Sequence, residues 1–320
     1  MHARKLVKSG ASSYTISLPK RWISINKLNR GDLIYIKEES KDKLLITPGK
    51  IEEKPKPKEV VINIDAKKID TIERELTSAY INNYNSIIIT GSKLINQTKD
   101  IRRILHNFSG LEIIEQTSAR IVANDLLNLK EISTESIIRR MDMIIRSTAK
   151  DLMDNIRNKS IYENIEFRDF DVNRLYFLLY RLIKGALNDA NFAAHFGIDN
   201  TKILSLWYLV INLEGIADGY KDICLALKNI TSKKDKFSLN DIEKVYEEIR
   251  NSYLDVMKAY YTSDKRLADD VASKRPSIIE KCIPFSKRDL NFDMFIVYEN
   301  LKEIENLTCN IARIVIDEST

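Results

Sequence analysis

The stretch Leu204–Leu227, LSLWYLVINLEGIADGYKDICLAL, decides how the rest of the chain is read. Its pattern returns near the other end as Phe292–Ile314, FDMFIVYENLKEIENLTCNIARI, at a shift of 88 residues. That shift lays Leu213 over Leu301, Ile216 over Ile304 and Ile223 over Ile311, with apolar positions at helical spacing in both copies. Glu214, Asp218 and Asp222 fall over Lys302, Asn306 and Asn310. A long helix that occurs twice in one chain predicts a duplicated unit.

The duplication continues upstream with different loop lengths. Met141–Met153, MDMIIRSTAKDLM, lies over Val245–Met257, VYEEIRNSYLDVM, matching Ile145 with Ile249, Arg146 with Arg250 and Asp151 with Asp255. Between these helices and the closing ones come Val172–Ala186 and Asp264–Ile279. Residues 133–230 and 231–320 therefore read as three helices followed by three more. Helices of about 20 residues on short loops pack antiparallel in bundles.

Two three-helix repeats, each ending in a helix of the form L-E-x-I-A-D-x-x-x-x-I, resemble the PhoU family of phosphate-signalling proteins. Leu213, Glu214, Ile216, Ala217, Asp218 and Ile223 carry the resemblance, which covers roughly residues 133–318. It implies a negative regulator of high-affinity phosphate uptake whose E-x-x-x-D helices hold a divalent or iron-type metal. Carboxylates four apart share one helix face, as a hard-oxygen site requires. The expected ligands in the first copy are Asp169, Asp171, Glu214, Asp218 and Asp222. Asn173 stands where the family carries an acid on the middle helix. In the second copy Lys302 and Asn306 replace the Glu and the Asp, so a cation site there is not expected. A solvated acidic helix face is the reading these residues favour by themselves.

At 320 residues the chain is long enough for two or three domains. Its three cysteines, Cys224, Cys282 and Cys309, show no C-x-x-C spacing and sit in apolar helical contexts, which predicts reduced thiols in a cytoplasmic protein. His2, His106 and His195 are too scattered for a zinc site. No apolar leader core is visible at the N-terminus. The most apolar run, Ile203–Ile211, is far short of the roughly 20 residues of a membrane span.

The net charge of +5 hides an asymmetry. Residues 1–50 hold 11 Lys and Arg against 4 Asp and Glu, so the remaining 270 residues carry about −2. Residues 1–30 have seven basic side chains and no acid. Such local concentration is what a polyanion-binding surface needs.

The same segment alternates as strands around punctuated turns. Arg4–Lys8 and Tyr14–Leu18 flank the turn Ser9-Gly10-Ala11-Ser12-Ser13; Pro19 starts a short helix, Lys20–Lys27; Gly31-Asp32 precedes a strand at Leu33–Lys37, and the turn Ser40–Lys43 returns the chain into Leu44–Pro48. This order, with Lys8, Gly10, Ser12, Tyr14, Leu18, Pro19, Lys20, Trp22, Leu28, Gly31, Asp32 and Ile46, closely resembles the SpoVT/AbrB swapped-hairpin DNA-binding domain. The resemblance spans residues 3–48 and implies a β-barrel interleaved from two chains, hence a homodimer. A unit of roughly 45 residues is near the lower limit for burying its own core, which agrees. Arg4, Lys5, Lys8, Lys20 and Arg21 are the expected phosphate contacts, and Ser9, Ser12 and Ser13 offer hydroxyls and amides at the turn.

Residues 51–58 read as a charged linker stiffened by Pro55 and Pro57. Residues 59–132 follow in the order βαβαββ, a small α/β module read as a spacer. Thr90-Gly91-Ser92-Lys93 follows a strand and suggests an anion held by turn amides, although one glycine is a weak phosphate signal. No Ser-His-Asp or Cys-His arrangement or nucleotide motif points to an enzyme. The whole reads as a multidomain α+β protein: dimeric AbrB-like barrel, α/β module, and an all-α pair of three-helix bundles. The end domains together resemble archaeal PhoU-like regulators with a SpoVT/AbrB head. The expected role is a DNA-binding regulator of phosphate uptake. The alternative is an adaptor docking on a phosphate transporter or sensor kinase, its head used for dimerisation only.

Overall fold

The computed structural model describes residues 3–40, 43–48, 57–154, 162–229, 235–282 and 292–319. Most of the linker and the centre of the Ser40–Lys43 turn lie outside them. The chain divides into two compact units, Met1–Lys56 and Pro57–Thr320.

The first unit holds two antiparallel hairpins. β1 (Val7–Ser9) pairs with β2 (Ser13–Thr15), and β3 (Tyr35–Ser40) with β4 (Lys43–Thr47), as two separate two-stranded sheets. Gly10 closes the first turn at φ +84°, a conformation side chains with a Cβ rarely adopt. Pro19 precedes the single-turn helix α1 (Lys20–Ile25), with its fixed φ presetting the entry and no N–H to leave unpaired. No residue of this unit whose burial is described is buried.

The second unit begins with the α/β module, in the βαβαββ order expected. It consists of β5 (Glu59–Asn63), α2 (Ile69–Ile81), β6 (Ser86–Thr90), α3 (Leu94–His106), β7 (Leu111–Gln116) and β8 (Arg120–Asp125). Sheet order is β5-β6-β8-β7, with β5 parallel to β6 and the other pairings antiparallel. Period-2 alternation sends Ile62, Ile87, Ile89, Ile121 and Ala123 to one face, where they share a core with Ile72, Leu76, Ile101 and Leu105 of α2 and α3.

Helices α4 (Thr134–Asp154), α5 (Tyr162–Asn188), short α6 (Ala190–His195) and α7 (Asn200–Asn229) form the first helical copy. The second is α8 (Asp235–Thr262), α9 (Lys265–Lys281) and α10 (Phe292–Glu318). Asp264 caps α9 by accepting from Leu267 N–H at 3.0 Å. One continuous core runs through both copies, from Ile138 and Leu179 to Ile249, Leu301 and Ile311.

The two closing helices lie antiparallel against each other. Lys202 reaches Glu318, Asn212 meets Asn310, and Asn229 meets Asp293. These pairs centre on Ala217 and Glu305, positions that the 88-residue shift lays over one another, so the copies are related by a local two-fold. Asn212 and Asn300, also equivalent, each donate to the carbonyl four residues back. Gly215 and Gly219 line the crossing: a Cβ on Gly219 would stand 2.8 Å from Ile304 Cγ1, and one on Gly215 2.9 Å from Leu307 Cδ1.

The module is fastened to the helical body by Arg181 of α5, 1% exposed. Its guanidinium pairs bidentately with Asp125 at the end of β8, donates to Asn83 Oδ1 at 2.8 Å, and lies 4.8 Å over the Tyr80 ring. Phe177 adds an edge contact to Phe108. The segment read as a spacer is thus packed against the helical body.

Candidate functional site

The candidate side chains fall into two groups, which lie in different units. In the first, all eight expected contact residues are exposed: Arg4, Lys5, Lys8, Ser9, Ser12, Ser13, Lys20 and Arg21. The hairpin sets Lys8 opposite Tyr14 and Ser9 opposite Ser13. Alternation puts Lys8 on the other face of β1 from Val7 and Ser9. Lys20 and Arg21 open α1 next in the chain. Among the described residues, none of the five cations is in an ion pair, while Asp32 is occupied in accepting from Asn29 N–H at 2.6 Å. Unneutralised cations beside turn hydroxyls are suited to phosphodiester oxygens.

In the second unit, the acidic residues of the first helical copy come partly together. Lys221 Nζ lies between Asp169 of α5, at 3.1 Å, and Asp218, one turn before it on α7. Asn173 donates to Asp169 Oδ2 at 3.3 Å. Glu214 lies one turn further back, half-buried; burial, then the charges of Asp218 and Asp169, push its carboxyl up to about 7. Asp169 is raised by burial against the opposing pull of Lys221. Asp222 is exposed and Asp171 is half-buried.

These residues do not fit a metal ion as they stand. The ammonium of Lys221 already occupies the position between two of the five expected ligands, and a second cation there would meet it at contact range. Among the described residues, no group of three or more His, Cys, Asp or Glu is disposed to hold an ion. Lys221 was readable in the sequence, three residues after Asp218 on the same helix face.

In the second copy Asn306 stands where the first has Asp218, and it donates to Glu303 Oε2 at 3.2 Å. Arg275 of α9 donates through Nε and Nη2 to Asn306 Oδ1 at 3.0 and 2.7 Å. An acid–lysine–acid cluster in one copy thus stands against an arginine–amide–acid chain in the other. Glu305, over the buried Ala217, has no exposed surface. It accepts from Ser252 Oγ at 3.2 Å while its Oε2 has no partner, and burial drives its pKa up to about 7. Its position over an apolar residue was the signal that could have marked it.

The turn after Thr90 is not open to an anion. Ser92 donates its N–H and its hydroxyl to Asp65 Oδ1 at 2.8 and 2.9 Å, which lowers the Asp65 pKa. An internal carboxylate thus takes the turn donors that an anion would need. Comparison with known proteins identifies no relative, since no family model, no curated protein and no solved structure matches this chain.

Proposed function

We propose that this protein is a DNA-binding regulator of phosphate uptake, with the first unit, paired between two chains, holding DNA and the helical body carrying the regulatory signal. The observation that carries the reading is the set of unpaired, exposed cations Arg4, Lys5, Lys8, Lys20 and Arg21 in a unit that leaves its own apolar side chains uncovered. Two-fold pairing doubles each cation, bringing about 8–10 phosphates into reach with a log–log salt slope near −0.9 per contact. The phosphate connection comes from the PhoU-like form of the repeated closing helix. A ligand or partner favouring one arrangement of the body would bias the state of the heads.

The test is salt-titrated binding to promoter fragments of phosphate-transport genes, with the intact chain and with residues 1–50 removed. Steeply salt-dependent binding that is lost on truncation supports the reading; equal binding by the truncated chain removes the head from it. The adaptor reading draws on the same uncovered apolar side chains, which serve dimerisation without DNA. A steep salt slope abolished by reversing Lys8 and Lys20 to Glu, with pairing intact, decides against it.

A further inference from the structure

The four-stranded sheet has two edges, and the chain treats them differently. β7 is broken by a register shift between Ile113 and Glu115 and carries Glu112 and Glu115, devices that keep an edge from pairing. β5 runs its five residues against β6 without a break. Lys58 C=O accepts from Ser86 N–H at 3.2 Å, and Ile64 N–H donates to Thr90 C=O at 2.9 Å. Even-numbered residues therefore face β6, and the N–H and C=O groups of Glu59, Val61 and Asn63 face outward. Val61 is 60% exposed. A groove lined by Val60, Glu75, Ser78, Asn82 and Tyr84 runs alongside.

We propose that β5 is a pairing edge whose occupant is β5 of a second copy of this chain, antiparallel about a two-fold axis at Val61. The segment Glu59–Asn63, EVVIN, is self-complementary in that register. Val61 meets its own counterpart, Val60 meets Ile62, and Glu59 meets Asn63, so apolar faces apolar and no like charges oppose. Glu59, Val61 and Asn63 all fall at hydrogen-bonded positions, each pair exchanging two N–H···O=C bonds. A one-residue slip would set Glu59 against Ile62 and turn the outward groups out of alignment. A parallel partner would set Glu59 against Glu59. A strand pair of this length is small beside the roughly 1,600 Å² of a stable interface, so it is best read by trapping.

The test places single cysteines in the full chain, Val61→Cys on β5 and Ile114→Cys on β7, where Ile114 is 57% exposed and serves as the tethering control. The native cysteines are buried. A hydrogen-bonded antiparallel pair holds its Cα atoms about 5.5 Å apart, within disulfide range. Under mild oxidation, Val61→Cys is expected to form covalent dimers at least about tenfold faster than Ile114→Cys. Adding Asn63→Glu to Val61→Cys, which opposes two carboxylates, is expected to slow linkage several-fold. Linkage at 114 as fast as at 61, indifference to Asn63→Glu, or no linkage at 61, which leaves the edge to a strand of another protein, overturns the proposal. Because the comparison is between two sites on one sheet, its outcome does not depend on whether residues 1–50 bind DNA.

Discussion

Leu6, Val7, Tyr14, Ile16, Ile25, Leu33, Ile36 and Leu44 are all exposed in the first unit, whereas the second buries two cores of aliphatic and aromatic side chains, with Arg181 enclosed as well. A buried Val, Leu or Ile contributes about 1.5–3 kcal/mol, so the first unit forgoes most of what normally holds a fold of its size. The difference teaches that Pro57–Thr320 buries cores of its own, while the first unit leaves apolar side chains exposed, as the proposed pairing of two heads requires. In the body an added methyl at Gly219 meets Ile304; in the head a Cβ on Gly10 meets nothing within 4 Å.

The largest effect expected of a single change in the body is at Arg181. Arg181→Met leaves Asp125 buried without its partner and should cost about 3–5 kcal/mol, read by denaturant unfolding of the full chain. The double change with Asp125→Leu should recover much of that loss. If the single change costs under about 1 kcal/mol, the module is not held by this pair.

Glu305 gives the next effect, and it depends on pH. A carboxyl whose folded pKa is raised from 4.5 to about 7 holds its proton more tightly folded than unfolded. Its favourable contribution is complete below about pH 4.5 and is lost as pH rises through about 7. Glu305→Gln should therefore stabilise the protein at pH 8 by about 2–3 kcal/mol and flatten the fall between pH 5 and 7, roughly. Around Glu305 stand Ser252 and Glu248 of α8, Arg275 of α9, Cys309 of α10 and Tyr220 of α7, and the thiol of Cys309 is itself pushed up to about 12. An unchanged pH profile would place the titration elsewhere. Smallest is Gly219→Ala, where crowding of about 1–3 kcal/mol is partly offset by better helix propensity, for a net loss near 1 kcal/mol.

Much of the body was legible in the sequence for specific reasons. Alternation and turn residues gave the βαβαββ order, because strand and helix periods are local properties of the chain. The 88-residue shift located the closing helices that pack together at the local two-fold. What escaped was long-range pairing. Arg181 sits on a helix where an arginine ordinarily faces water, and only the far-off Asp125, Asn83 and Tyr80 explain its burial. Lys221 escaped because an E-x-x-x-D spacing marks acids alone, and its neutralising role depends on Asp169, 52 residues away. Asp65 closes the Thr90 turn for the same reason.

The most direct test of an incomplete head is amide hydrogen exchange of the intact protein over a range of concentrations. The account predicts that protection within Val7–Thr15 and Tyr35–Thr47 is present at high concentration and lost on dilution, while Val60–Ile62 loses at most its outward amide and β6, α2 and the helices α4–α10 are unchanged. Protection in the head that persists at dilutions where the protein sediments as a single chain would contradict it.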